Sequence, residues 1–151
     1  MLKTSSTPMA SDLGVQAIMR AIADAAQRWA DADFPPRVRA TELIASRTGY
    51  SVPVVEYALD RIFFEITTDA LEATITSELG SLHALDGFVA QAGRPERSAH
   101  AVGRVCIISS RTTIGVALIP AIFALCAGCE VTVKDREDAF VGAFFETLYE
   151  E

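Results

Sequence analysis

Several features are scarce in this sequence of 151 residues, and each scarcity removes a class of function. Thirteen basic residues stand against twenty acidic ones, which gives a formal net charge of -7. Nucleic-acid sites need a basic stripe that neutralises phosphates, so we predict no nucleic-acid partner. The longest apolar stretch, residues 114–127, falls short of the roughly 18 residues that a spanning helix needs. We therefore expect no membrane span.

Cysteine and histidine are also rare, which limits redox and metal chemistry. The sequence contains Cys106, Cys126 and Cys129, together with His83 and His100. Without a signal peptide, this content indicates reduced thiols and a cytoplasmic protein. Cys126 and Cys129 form a C-x-x-C pair, but at the end of a predicted helix, whereas redox pairs place the reactive thiol at a helix N-terminus. We predict no metal site, and we expect Cys106 and Cys126 to be small core residues.

The first ninety residues predict a tail followed by helices. Residues 1–10 are small and polar, which favours a loose tail. Residues 11–90 form an α-helical segment, because apolar side chains recur at helical spacing between proline and glycine breaks. The predicted helices cover residues 11–32, 37–48, 51 to at least 63, 67–79 and 82–89. Residues 91–102 contain glycine, proline and charged residues, which predicts an exposed connector and a domain boundary.

The remaining segment, residues 103–151, alternates between strand and helix patterns. Residues 105–108 favour a buried parallel strand that ends in polar residues. Residues 114–127 are too long and too apolar for one strand, and Gly128 follows them as a helix C′ residue does. A second short strand is predicted over residues 131–133.

A last helix completes this pattern, because Phe140, Phe144 and Leu148 recur at helical spacing. A β-α-β-α order requires a right-handed crossover and parallel strands. Ligands of such sheets bind at the carboxyl ends of the strands. We therefore place the candidate site at residues 109–113 and 134–138.

The motifs of this segment resemble the start of the cofactor domain in the aldehyde dehydrogenase superfamily. The superfamily pattern runs from a strand with a polar turn through a long apolar helix and Ala-Gly-Asn to a strand ending Val-Lys-Pro-x-Glu. Ala127-Gly128-Cys129 and Val133-Lys134-Asp135-Arg136-Glu137 stand in those places. The wording Val-Lys-Asp-Arg-Glu-Asp-Ala, with Phe-Phe soon after, is closer to the acyl-CoA reductase (LuxC-type) branch.

The resemblance implies a fold and a reaction. The fold would be α/β, with an N-terminal α-helical segment followed by the first β-α-β-α of a Rossmann-like cofactor domain, which is incomplete here. The reaction would be the reduction of acyl-CoA or a fatty-acyl thioester to an aldehyde with NAD or NADP as the cofactor. The full-length protein would be a homo-oligomer.

The resemblance also implies roles for particular residues. Lys134 would hold the adenosine ribose of the cofactor, and Glu137 would accept hydrogen bonds from its hydroxyls. Arg136 could instead pair with the 2′-phosphate of NADP. Ser109 and Ser110 would line the turn beside the cofactor. Each residue also has a structural alternative, since Lys134 could simply extend into solvent and Glu137 could stabilise a helix N-terminus.

The position of the family's oxyanion-binding asparagine falls at Thr112 or Arg111, and neither is asparagine. A hydroxyl or guanidinium could still donate a hydrogen bond to the developing negative charge. Thr112 could equally be the N-cap of the following helix.

The resembled proteins are several times longer, and their nucleophilic cysteine comes from a second domain. We therefore expect this chain to be an N-terminal fragment that lacks the nucleophile and is inactive alone. The alternative is a non-catalytic interaction or oligomerisation module completed by a partner chain or a second copy, because a two-stranded sheet leaves open edges.

Overall fold

Four helices form the first part of the chain in the computed structural model, which describes residues 14–91, 93–110, 113–134 and 140–149. They are α1 (Val15–Ala30), α2 (Pro35–Thr48), α3 (Val52–Glu65) and α4 (Thr68–Leu79). These helices confirm the first four predicted from apolar spacing. Helix α2 begins at the two prolines rather than after them. The first N–H groups of a helix have no acceptor within it, so proline, which lacks an N–H, is tolerated there. The predicted tail, residues 1–10, lies outside the described residues.

The segment after α4 differs from the prediction. Residues 82–89 were expected to be helical, but a 3₁₀ turn spans Leu82–Leu85 and a strand, β1 (Val89–Gln91), follows it. The predicted connector contains a second strand, β2 (Arg94–Arg97), which pairs antiparallel with β1. A short apolar stretch cannot offset the cost of starting a helix, whereas Gly93, with φ +69°, suits a hairpin turn.

The β-α-β-α order is confirmed. Strand β3 (Arg104–Ile108) is followed by α5 (Leu118–Cys126), β4 (Glu130–Lys134) and α6 (Phe140–Glu146), with a 3₁₀ turn at Thr147–Tyr149. Strands β3 and β4 are parallel and in register. The described residues therefore form a mixed α/β structure that is mostly helical, and a pair of parallel strands is too little to define a Rossmann-like fold.

Helix α5 begins four residues later than predicted because of Gly115. This glycine has φ +69°, a conformation that an L residue inside a helix cannot adopt. A Cβ at this position would lie 2.6 Å from Cδ1 of Ile62 in α3. Residues 114–117 therefore form a turn that packs against α3 before the helix starts.

The parallel strands are covered on one face, which corrects the prediction of a buried strand. Ile107 of β3 and Val133 of β4 are half-buried and pack against the core. The alternate residues of both strands face outward and are exposed, and Ile108 is 67% exposed. Burial on both faces requires a layer on each side of a sheet, and the described residues provide one.

The core is organised around Trp29 of α1. Its ring lies 5.3 Å from that of Phe63, 5.6 Å from Phe140 and 6.0 Å from Phe144. Phe34 completes this aromatic cluster at 5.9 Å. The indole N–H donates a buried hydrogen bond of 3.0 Å to Oγ1 of Thr147, at the other end of the chain. The cluster therefore joins α1, α3 and α6 into one core.

A buried arginine links the first three helices. Arg37 is 2% exposed, and its guanidinium donates to the carbonyl oxygens of Trp29 and Ala30 at the end of α1, both at 3.0 Å. It also donates to the carbonyl of Glu56 and pairs with the Asp60 carboxylate, both in α3. The charge-assisted bonds to Trp29 and Ala30 satisfy carbonyls that the C-terminus of α1 leaves without partners.

We predict that Thr147→Val destabilises the fold. The substitution keeps the shape of the side chain but leaves the buried Trp29 N–H without an acceptor, which should cost about 1–3 kcal/mol in the free energy of unfolding. Urea denaturation followed by fluorescence measures this change directly, because Trp29 is the single tryptophan. Thr147→Ser is the matched control, since it keeps the hydroxyl. Equal stability of the Val and Ser variants would contradict the role assigned to this bond.

Candidate functional site

The carboxyl ends of the two parallel strands lie side by side. Ile108 is opposite Lys134 in the register, and the backbone N–H of Ser109 donates a 3.0 Å hydrogen bond to the carbonyl of Lys134. The two polar strand ends predicted from the sequence therefore meet at one edge of the sheet. We call Ser109, Ser110 and Lys134 the carboxyl edge.

Ser109 is the buried residue of the carboxyl edge. The residue is 3% exposed, and its hydroxyl donates to the carbonyl of Ser110 at 3.2 Å. A buried serine with its hydroxyl used locally stabilises the turn that leaves β3, whereas Ser110 is exposed at the surface.

Lys134 presents the positive charge of the edge. It is exposed and lies on the uncovered face of the sheet, as does Ile108 opposite it. At the other end of the same face, Arg104 and Glu130 form an exposed ion pair with a 2.8 Å Nε to Oε2 distance. The charge of Arg104 is thus paired locally, while the Lys134 ammonium is accessible to an acceptor from solution.

Four further candidate residues cannot be placed. Arg111, Thr112, Arg136 and Glu137 lie outside the described residues. Their roles as oxyanion and ribose contacts remain predictions. Within the described ranges, no group of three or more histidine, cysteine, aspartate or glutamate residues could hold a metal ion.

The motif Ala127-Gly128-Cys129 positions β4 by closing α5. Gly128 has φ +75°, its N–H donates to the Leu125 carbonyl, and the Cys129 N–H donates to the Ala124 carbonyl, both at 2.9 Å. This pair of bonds is a Schellman motif, which confirms Gly128 as the C′ residue. The next N–H, of Glu130, donates to Gly103 at 2.8 Å and starts the parallel pairing.

A comparison with protein families identifies the relationship. The family model described as Acyl-CoA reductase (LuxC) matches residues 10–131, more than half of the chain. The chain belongs to the LuxC acyl-CoA reductase family. The resemblance drawn from the strand-end motifs is confirmed, and with it a relationship to acyl-CoA-reducing oxidoreductases. Comparisons with curated proteins and with solved structures give no match.

The cysteines of this LuxC-family chain divide into two kinds. Cys126 and Cys129 are buried and are not disulfide-bonded. Burial raises the pKa of Cys126 to about 11, so its thiol stays protonated at neutral pH. The expectation that Cys126 is a core residue is confirmed, but the same expectation for Cys106 is wrong. Cys106 is exposed, because it falls on the uncovered face of β3.

An apolar groove between α4 and α5 is a feature that sequence reasoning missed. One part encloses about 690 Å³ beside Phe64, Leu71, Ile119 and Phe123, and a second encloses about 270 Å³ beside Ile75, Leu79, Phe123 and Cys126. Thr74 and Phe123 line both parts, which therefore adjoin each other along α4 and α5, and we refer to them together as the groove. The apolar residues at 114–127 indicated a buried helix, but not which of its faces a neighbouring helix would leave open.

None of the described helices is long and apolar enough to cross a membrane.

We predict that a maleimide labels the folded chain mainly at Cys106. A maleimide is an electrophile that the cysteine thiolate attacks. Cys126 and Cys129 are both buried, and Cys126 is also held neutral by its raised pKa, which disfavours its reaction below about pH 11. Mass spectrometry after brief labelling at pH 7.5 should show one adduct, and labelling in urea should show three. Cys106→Ser is the control and should abolish the rapid adduct. Equally fast labelling of Cys126 in the folded chain would contradict this assignment.

Proposed function

We propose that this chain forms the cofactor-binding side of an oxidoreductase that reduces acyl-CoA or a fatty-acyl thioester to an aldehyde. In this reduction, the acyl thioester, NADH or NADPH and a proton are consumed. The aldehyde, the free thiol and the oxidised cofactor are released. The cofactor supplies the hydride when it is bound. Membership of the LuxC family supports the reaction. We further propose that the full-length enzyme is a cytoplasmic homo-oligomer.

The observation that carries the cofactor assignment is the juxtaposition of Ser109 and Lys134. Their 3.0 Å backbone hydrogen bond brings the two strand ends together at the position where parallel α/β sheets bind ligands. The exposed Lys134 ammonium fits a ribose, because it offers three donors to hydroxyl acceptors. Ser109, which is buried, holds the turn beneath that position.

The remaining roles follow from the family pattern. We assign Glu137 to the ribose hydroxyls, where a carboxylate repels a 2′-phosphate and thus favours NAD. Arg136 would admit NADP by pairing with that phosphate. Ser110 lies at the edge itself, and Thr112 is assigned to the oxygen on which negative charge develops.

We do not assign the nucleophile of the reaction to this chain. Acyl transfer needs an accessible thiolate, and Cys126 and Cys129 are buried, with the pKa of Cys126 raised to about 11. Cys106 is exposed, but it lies in the middle of β3 and not in the turn at the carboxyl edge. We therefore propose that the chain is the N-terminal part of a longer enzyme and produces no aldehyde on its own.

We predict that Lys134→Ala weakens the binding of both NADH and NADPH. Losing one charge-assisted contact should lower the affinity roughly tenfold or more, since hydrogen bonds to charged groups contribute about 1.5–3 kcal/mol. Glu137→Gln should instead raise the affinity for NADPH relative to NADH, because it removes the repulsion of the phosphate. Isothermal titration calorimetry with each cofactor measures both effects.

Arg104→Ala is the matched control for these titrations. It removes a cation from the same face of the sheet at the opposite end of the strands, where Glu130 already pairs with it. Its cofactor affinity should equal that of the unmodified chain. If Lys134→Ala and Arg104→Ala lower the affinity equally, the effect is one of net charge and the carboxyl edge is not the site.

A second candidate function is a non-catalytic interaction module. The uncovered face of β3 and β4, with Cys106 and Ile108 exposed on it, favours completion by a partner chain or a second copy. If this function is correct, the chain should sediment as a dimer at micromolar concentration in analytical ultracentrifugation. Ile108→Lys should then dissociate it, because a charge would be buried in the contact. A monomer that binds NADH would exclude this candidate.

A further inference from the structure

We propose that the groove between α4 and α5 binds the acyl chain of the thioester substrate. This inference rests on the proposed acyl-CoA reductase function and extends it to residues that the cofactor assignment does not use. The occupant is the hydrocarbon portion of the substrate, and the thioester lies at the end of the groove near Ile119.

The first argument is the chemistry of the lining. Leu71, Ile75, Leu79 and Phe123 present apolar side chains along the groove. Phe64 at its mouth is 74% exposed. Such a surface gains free energy when a hydrocarbon replaces water on it, and the two parts together fall in the volume range of small-molecule sites.

The second argument is charge, which selects the hydrocarbon over the nucleotide end of acyl-CoA. The charged residues lining the groove in the described part of the chain are Glu65, which forms an exposed ion pair with Arg61, and Glu78. The Glu78 carboxylate repels the phosphates of the coenzyme, and no cation lines the groove there to attract them, so that end of the molecule is disfavoured within the groove. An uncharged alkyl chain meets no such repulsion.

The third argument is direction. A helix that connects two parallel strands runs back against them, so the start of α5 lies at the carboxyl end of the strands and its C-terminus at the opposite end. Ile119 is in the first turn of α5, and Ala127 follows its last turn. A chain that enters at Ile119 and ends at Ala127 would therefore start at the same end of the sheet as the carboxyl edge, where the proposed cofactor binds.

The length of the groove limits the length of the acyl chain. Eight residue steps separate Ile119 from Ala127, which corresponds to roughly 12 Å along the helix axis at about 1.5 Å per residue. Medium-length chains would fill this distance, and longer ones would extend into solvent beyond Ala127. We therefore expect the groove to select acyl chains by their length.

The test is a titration of the 151-residue chain with acyl-CoA esters of increasing length, below the concentration at which they aggregate. We expect each added methylene to tighten binding about fourfold until the groove is full, after which affinity should level off. Coenzyme A without an acyl group is the reference. Affinity that does not change with chain length would overturn the proposal.

A matched pair of substitutions on α4 localises the effect. Ala70 lines the groove, whereas Ala73 is an exposed residue of the same helix that does not line it. Ala70→Phe should fill the space and weaken binding of the long esters at least about tenfold, the loss of roughly two buried methylenes. Ala73→Phe should leave the titration unchanged. Thermal unfolding of both variants shows whether each remains folded, and equal affinities in two folded variants would exclude this groove.

The failure of this inference can be separated from the failure of the proposed function. If Lys134→Ala weakens NADH binding but affinity for the esters is independent of length, the cofactor assignment stands and the groove assignment is wrong. If affinity rises with length and Ala70→Phe blocks the rise, the groove assignment stands whatever the cofactor result. If neither ligand binds, both assignments are wrong.

Discussion

The contact between Trp29 and the last helix is the constraint on which the rest of the structure depends. Trp29 packs against Phe63, Phe140 and Phe144, and its indole N–H is bonded to Thr147. Through these rings, α6 is packed onto the helices that precede the parallel strands. The sheet has one face covered because this core holds α5 and α6 on that side of it.

Two glycines fix the position of the carboxyl edge relative to this core. Gly115 brings the turn after β3 against Ile62 of α3, at a distance that excludes any side chain. Gly128 reverses the chain after α5 so that β4 starts opposite β3. The position of Lys134 thus depends on the backbone geometry at Gly115 and Gly128, neither of which belongs to the candidate site.

Much of this arrangement could be predicted from the sequence, and the misses share a cause. The order of β3, α5, β4 and α6, the end of α5 at Gly128 and the meeting of Ser109 with Lys134 follow from periodicity and from the rules of parallel sheets. The exposure of Cys106 does not, because an apolar strand has the same sequence pattern whether one or both of its faces are covered. The burial of Arg37 could not be predicted either, since it depends on bonds to groups in two other helices. The groove between α4 and α5 is a property of two surfaces, and neither helix shows it alone.

The hydrogen bond between Trp29 and Thr147 spans 118 positions of the chain. During translation, α1 therefore leaves the ribosome long before its partner, and its apolar stripe lacks the rings of Phe140 and Phe144 until α6 has emerged. Contacts of such high sequence separation slow folding and prolong the exposure of apolar surface. In this interval, packing among α1, α2 and α3 covers part of that surface, because every group that Arg37 bonds has been synthesised once the chain reaches Asp60.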